Sequence, residues 1–180
     1  MQRAPSRRAG RVFLPASAVL ALSLVLTLSH PEGARVLRVS VGTGGAGGVY
    51  QVYGDGLAEV TADFPNTEVS TQVTGASVEN LELVARGELD AAFTLADVAA
   101  LSVEGEAPFD EPLPVAAVAR LYDNHTHVVV RDGSAYEEVA DLEDTPVSVG
   151  APGSGTEMMA ERLLDAAGAE GVDRRRLSIE

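Results

Sequence analysis

The chain has 180 residues and is 46% hydrophobic but only 4% aromatic, so one ordinary domain, or a domain and part of another, must close its core with Ala, Val and Leu. It has no Cys and all 13 basic residues are Arg, which excludes disulfides, Cys-bound zinc, thiol catalysis, a P-loop lysine and Schiff-base chemistry. The formal charge is −14, and setting aside the four arginines among the first eleven residues takes it to −18; such a surface repels nucleic acid and anionic membranes and keeps a protein soluble.

The N-terminus reads as an export signal. Arg3 to Arg11 is a positive stretch, Val12 to Leu28 is apolar apart from scattered Ser, Thr and Pro, and Ser29-His30-Pro31-Glu32-Gly33 breaks it. Thr27-Leu28-Ser29 is an imperfect cleavage site, so residues 1–34 are expected to act as a signal peptide or as an uncleaved anchor. Either way the remainder is expected to be exported, to the periplasm or another extracytoplasmic space.

From residue 35 onward, strand and helix patterns alternate, which predicts an α/β fold. Val36–Val41 reads as a strand, Gly42–Gly48 as a glycine turn, and Tyr50–Ala62 as a helix with Leu57 and Val60 on one face, broken at Pro65-Asn66. Glu68–Val73 is a second strand, and Ser77 is expected to cap a helix ending at Gly87. Ala91–Leu95 is a third strand, Ala96–Leu101 a short helix and Gly105–Pro114 a loop. Val115–Leu121 and His127–Val130 read as two more strands, Tyr136–Leu142 as a short helix or helical turn, and Val147–Val149 as a strand. A second glycine turn, Ala151–Thr156, precedes a helix over Glu157–Ala167 closed by Gly168, and Leu177–Ile179 begins a further strand.

Two units of strand, glycine loop and helix thus stand about a hundred residues apart, each placing backbone N–H groups at a helix N-terminus, where anions bind readily. Gly42-Thr43-Gly44-Gly45-Ala46-Gly47-Gly48 contains G-x-G-x-x-G, but dinucleotide binding needs an acidic residue at the end of the next strand, and Gln72-Val73-Thr74-Gly75 has none. A tight turn alone would not use five glycines in seven residues; close backbone approach to a ligand would. Asn80 lies one turn after Ser77 and could share a rim with it. In Gly150-Ala151-Pro152-Gly153-Ser154-Gly155-Thr156, Pro152 excludes the G-x-S-x-G esterase elbow and no His partner is evident, so the loop reads as an anion cradle that also caps its helix. Gly155 is expected there because a side chain would obstruct backbone approach. Asp97 is expected to cap a short helix or to touch a ligand. His125 and His127 lack further ligands for a metal site, and His127 reads as part of a core strand. The Arg174-Arg175-Arg176 run reads as solvated surface.

Together these motifs resemble the TAXI family of TRAP-transporter solute receptors from about Arg35 to Glu180. The resemblance is carried by V-G-T-G-G-A-G-G-V-Y at 41–50, V-T-G-A-S-V-E-N-L at 73–81 and G-E-L-D-A-A-F-T-L-A-D-V-A at 87–99. It continues with V-A-R-L-Y at 118–122, A-D-L-E-D-T-P-V-S-V-G-A-P-G-S-G-T-E at 140–157 and L-L-D-A-A-G at 163–168. It implies a type II periplasmic-binding-protein fold, with a ligand cleft between a first lobe at 35–130 and the start of a second, incomplete lobe at 131–180. It implies a receptor that is not an enzyme and uses no cofactor, and that hands a small anionic solute, an amino acid or dicarboxylate, to membrane permease subunits. An extracytoplasmic sensor is the alternative, and a dinucleotide-dependent oxidoreductase a more distant one. By motif, Thr43, Gly44, Gly47, Gly48 and Tyr50 would line the first lobe with Ser77, Asn80 and Asp97 nearby, and Ser154, Gly155 and Thr156 would close from the second. Ala76, where a glycine is usual, and Gln51-Val52-Tyr53, where a Tyr-Tyr-Pro-like run is usual, depart from the family pattern.

Overall fold

The Val-rich run after residue 36 forms the central strand of a parallel sheet. In the computed structural model, which describes residues 35–178, β1 (Leu37–Gly42) pairs in parallel with β2 (Thr67–Gln72) from Leu37↔Thr67 to Gly42↔Gln72. On its other side it pairs in parallel with β3 (Ala91–Ala92), through Val41↔Ala91, giving the order β2-β1-β3. Parallel strands need crossovers, and helices supply them: α1 (Val49–Thr61) follows β1, α2 (Ser77–Ala85) follows β2 and α3 (Ala96–Glu104) follows β3. A second parallel pair, β4 (Pro146–Ser148) with β5 (Asp173–Arg175), is bridged by α4 (Gly155–Ala167). The protein is therefore mixed α/β with parallel sheets, as its alternating pattern predicts. The expected export segment 1–34 lies outside the described residues.

Because the strands of a parallel sheet end on one edge, the helices that follow them begin on that edge. This topology gathers the N-termini of α1, α2 and α3 and, with them, the glycine-rich turns. Two apolar clusters support the arrangement. Leu81, Val98, Leu101 and Phe109 are buried together, with Met158 of α4 packed against them. Leu142, Val149, Leu164, Ala169 and Val172 form the other cluster, beneath β4 and β5.

α1 departs from the sequence reading. Leu57 and Val60, expected on a core face, are 44% and 67% exposed, and the buried residue of the helix is Gly54. A Cβ at Gly54 would stand 2.6 Å from Thr43 Cγ2 and 3.1 Å from Thr71 Cγ2, so the helix lies against the sheet through a face too close for a side chain. The larger apolar residues are turned away from that face.

Other expectations are corrected. The strands expected at Val115–Leu121 and His127–Val130 do not form: the region has no regular secondary structure, and Val118 and Val129 are 95% and 84% exposed. β-branched alternation favours a pleated surface only when a neighbouring strand completes the ladder, and no described strand pairs with this segment. His127 is accordingly exposed rather than part of a core strand. Of the short helix or helical turn expected over Tyr136–Leu142, the turn forms, as a 3-10 turn at Val139–Leu142 fixed by the Asp141 carboxylate accepting the N–H groups of Glu137 and Glu138 at 2.7 and 3.0 Å. Those two bonds hold the Asp141 carboxyl below its ordinary pKa.

The last strand falls earlier than expected, at Asp173–Arg175. Leu177 and Ser178 are irregular, and Ile179 lies outside the described residues. β4 offers three residues to pair, and they take Asp173, Arg174 and Arg175. The arginine run is also paired rather than merely solvated: Arg174 meets Glu161, Arg175 meets Asp173 and Arg176 meets Glu157.

Candidate ligand-binding site

The edge where the helices begin forms a half-open cavity of about 240 Å³. Three turns from distant parts of the sequence form its wall: Gly44, Gly45 and Gly48 before α1, Gly75, Ala76 and Ser77 at the start of α2, and Gly150, Ala151, Ser154, Gly155 and Thr156 before α4. Tyr50, Leu95, Tyr122, Asn124, Leu177 and Ser178 complete it together with Val49.

The turns are joined directly. The Val78 N–H donates to the Gly153 carbonyl at 3.1 Å, linking the start of α2 to the second glycine loop. A Cβ on Gly155 would stand 2.4 Å from Leu95 Cδ1 and 2.9 Å from Ser77 Oγ. Gly155 thus faces the cavity, but its lack of a side chain also lets α4 start against Leu95 and Ser77. The freedom from side chains that the sequence suggests for ligand approach therefore serves packing too.

Each expected site residue has a definite place. Gly44, Gly48, Tyr50, Ser77, Ser154, Gly155 and Thr156 are on the cavity wall; Thr43, Gly47, Asn80 and Asp97 are not. Asn80 is fully buried and ties the turns together rather than sharing a rim with Ser77. Its Nδ2 donates to the carbonyls of Thr43 and Phe93, both at 2.7 Å, and its Oδ1 accepts from Thr74 Oγ1 at 2.7 Å. Thr43, also fully buried, donates its hydroxyl to the Gln72 carbonyl at 2.9 Å and so ties β1 to the end of β2. The Gly47 N–H donates to Gln51 Oε1 at 2.6 Å, which holds the first loop in its turn.

Asp97 sits in the first turn of α3, whose cap is Leu95, so it does not cap the helix. Its Oδ2 is shielded from solvent and accepts no hydrogen bond among the described residues; Arg162 Nη1 stands 3.5 Å away, near enough to pair in charge but not aligned to donate. Ser77 is not the expected cap either. The cap position belongs to Ala76, and the Ser77 hydroxyl accepts the Leu95 N–H at 3.1 Å. Ser154 does cap α4, accepting the Glu157 N–H at 3.0 Å.

Two of the three helix starts carry their own anion. Glu79 of α2 reaches back to the Gly75 N–H at 2.5 Å, and Glu157 of α4 to the Gly153 N–H at 2.9 Å. α1 has no acidic residue in its first turn, and its cap, Gly48, has no side chain to cap with. Its partial positive charge is left to the cavity. Burial pushes the Tyr50 hydroxyl above its ordinary pKa. A hydrogen bond with Ser77 partly opposes the shift, while Tyr122 and Asp97 add to it. Tyr50 is therefore a neutral donor throughout the physiological range.

Residue-by-residue reading did not single out Leu95, Tyr122 or Asn124. Tyr122 stacks on Tyr53 at 5.0 Å between ring centroids, and an aromatic ending an apolar run was the available signal. No group of three or more His, Cys, Asp or Glu residues among the described residues is placed to hold a metal ion.

Comparison with protein families gives a match that spans the cavity's three turns. The model described as the NMT1-like family covers residues 41–179, from the last part of β1 to beyond β5. With that coverage, the chain belongs to the NMT1-like family, a periplasmic-binding-protein-like family.

Proposed function

We propose that this chain is an extracytoplasmic solute-binding receptor of the TAXI class, serving a TRAP-type transporter by capturing a small anionic solute and delivering it to membrane permease subunits. The observation that carries this reading is the cavity itself. Three glycine-containing turns, separated widely in sequence, meet around one space at the starts of α1, α2 and α4. Backbone N–H groups at helix starts have no partners within their helices and favour anions. The family supports a solute-binding role, and the motif resemblance at 41–50, 73–81 and 140–157 supports the narrower TAXI assignment.

In this reading residues 35–130 and 131–180 belong to two lobes of a type II binding-protein fold, and the solute lies where the first and second glycine loops meet. The protein binds and releases without chemistry and without a cofactor. Residues 1–34 direct it out of the cytoplasm. A thermal-shift and calorimetric screen of small organic anions tests the reading: saturable binding of one class is expected, and no binding by a folded protein would refute it. A reporter fused after residue 34 should appear outside the cytoplasm; retention inside would overturn the assigned location.

A further inference from the structure

We infer that this chain pairs with a second copy of itself, through a surface made of the outer flank of α1 and the irregular segment 115–131. The inference is independent of what the cavity holds. α1 turns Val52, Tyr53, Leu57 and Val60 outward, with Phe64 just beyond its end, and all five are exposed. Val118, Leu121 and Val128–Val130 of the irregular segment are exposed as well. The two halves abut, because Tyr122 of the segment stacks on Tyr53 of α1 at 5.0 Å between ring centroids.

A monomer rarely exposes a joined apolar surface larger than a few hundred Å². A buried aromatic side chain alone covers ~150–250 Å². Ten large apolar residues that are about half exposed or more therefore offer on the order of 1,000 Å², above the ~800 Å² per partner of a standard stable interface.

Charge identifies the occupant. Residues 49–64 hold three carboxylates, Asp55, Glu59 and Asp63, and no base. All three are exposed, and they recur four apart beside the apolar flank. Residues 115–131 have the opposite balance, with Arg120, Arg131, His125 and His127 against the single carboxylate Asp123, in a chain whose net charge is −14. Within one copy these charges do not meet: Arg120 pairs with Asp123, and among the described residues no ion pair joins the segment to α1. An acidic apolar half thus lies beside a more basic apolar half on one surface. A two-fold axis through the Tyr53–Tyr122 junction lays each half on the opposite half of the second copy, which is the self-complementarity an isologous dimer needs.

Sedimentation equilibrium of the purified chain at physiological salt tests this. A reversible monomer–dimer equilibrium in the micromolar range is expected. Val60→Asp and Val129→Asp, one in each half, should each raise the dissociation constant at least about tenfold. Both side chains are exposed, so the thermal midpoint of the monomer should hold and loss of fold would not mimic loss of pairing. Glu59→Arg with Asp63→Arg should weaken pairing at least about fivefold, and adding Arg120→Glu with Arg131→Glu to the same chain should restore it. A monomer at every concentration would overturn the inference and leave this surface to a different partner. Pairing that survives both valine substitutions, or a charge-reversed chain that the second reversal does not restore, would overturn it equally.

Discussion

Val78 donates its backbone N–H to the carbonyl of Gly153 at 3.1 Å, so the first turn of α2 is bonded to a loop seventy-five residues later in the chain. That bond brings the turn at Gly75–Ser77 and the loop at Gly150–Thr156 to one wall. It also means that residues forming the site carry part of the fold, so substitutions there act on stability as well as on binding.

Asn80 is the clearest case. Three hydrogen bonds of 2.7 Å converge on its buried amide from the first glycine loop, from β3's end and from Thr74. Asn80→Ala should leave two carbonyls and a hydroxyl without their partner and cost roughly 3 kcal/mol. Urea denaturation would measure it; a loss below about 1 kcal/mol would show that water replaces the amide.

Ala76 caps α2 at φ 81°, ψ −139°, a conformation that suits glycine and strains alanine. Ala76→Gly should raise stability by about 1 kcal/mol, the relief of strain exceeding the added freedom of the unfolded chain. The denaturation midpoint should rise with the slope unchanged. A fall in stability would mean that the methyl group, which faces Gly44, contributes more by packing than its backbone costs.

Gly155→Val and Ser154→Ala separate packing from capping. The added side chain at 155 would be forced into Leu95 and Ser77, at a cost of about 1–3 kcal/mol. Ser154→Ala loses the bond to the Glu157 N–H and should cost about 1 kcal/mol. Equal and negligible effects in chemical denaturation would contradict the packing of α4 against α2 and Leu95.

Two shifts of opposite sign contribute to the pH dependence of stability. Tyr50's folded pKa lies above the ordinary 10.0 because the phenol is buried, so the unfolded chain ionises first and stability falls as pH rises past 10 toward the folded value. Asp90's folded pKa lies below 3.8 because its carboxylate accepts the Ser40 N–H and hydroxyl. Its contribution is present above pH 3.8 and is lost as pH falls through the folded value. Tyr50→Phe should flatten the alkaline limb of a thermal-melt profile, and Asp90→Asn the acid limb. Unchanged limbs would contradict these environments.

The alternating elements of the first parallel sheet, the glycine turns and the Ser154 cap were legible in the sequence because each depends on local pattern: hydrophobic period, breaker residues and a side-chain oxygen three residues before its N–H. What failed depended on partners. Val115–Leu121 has a strand's composition but no ladder to join. Leu57 and Val60 have helical spacing, yet Gly54 decides which face of α1 meets the sheet. Asn80's role could not be read from its distance to Ser77, because its partners Thr43, Thr74 and Phe93 come from three separate turns. Likewise Tyr122 reaches the cavity from an irregular segment whose path no periodicity describes.

The central claim is that one solute touches all three turns at once. The direct measurement is a titration of ¹⁵N-labelled protein followed by amide resonances, using the tightest binder from the screen of small organic anions. The account predicts that amides of Gly44, Gly45 and Gly48, of Ala76 and Ser77, and of Gly155 and Thr156 shift together and fit a single dissociation constant. Shifts confined to one turn, or different constants for different turns, would contradict it.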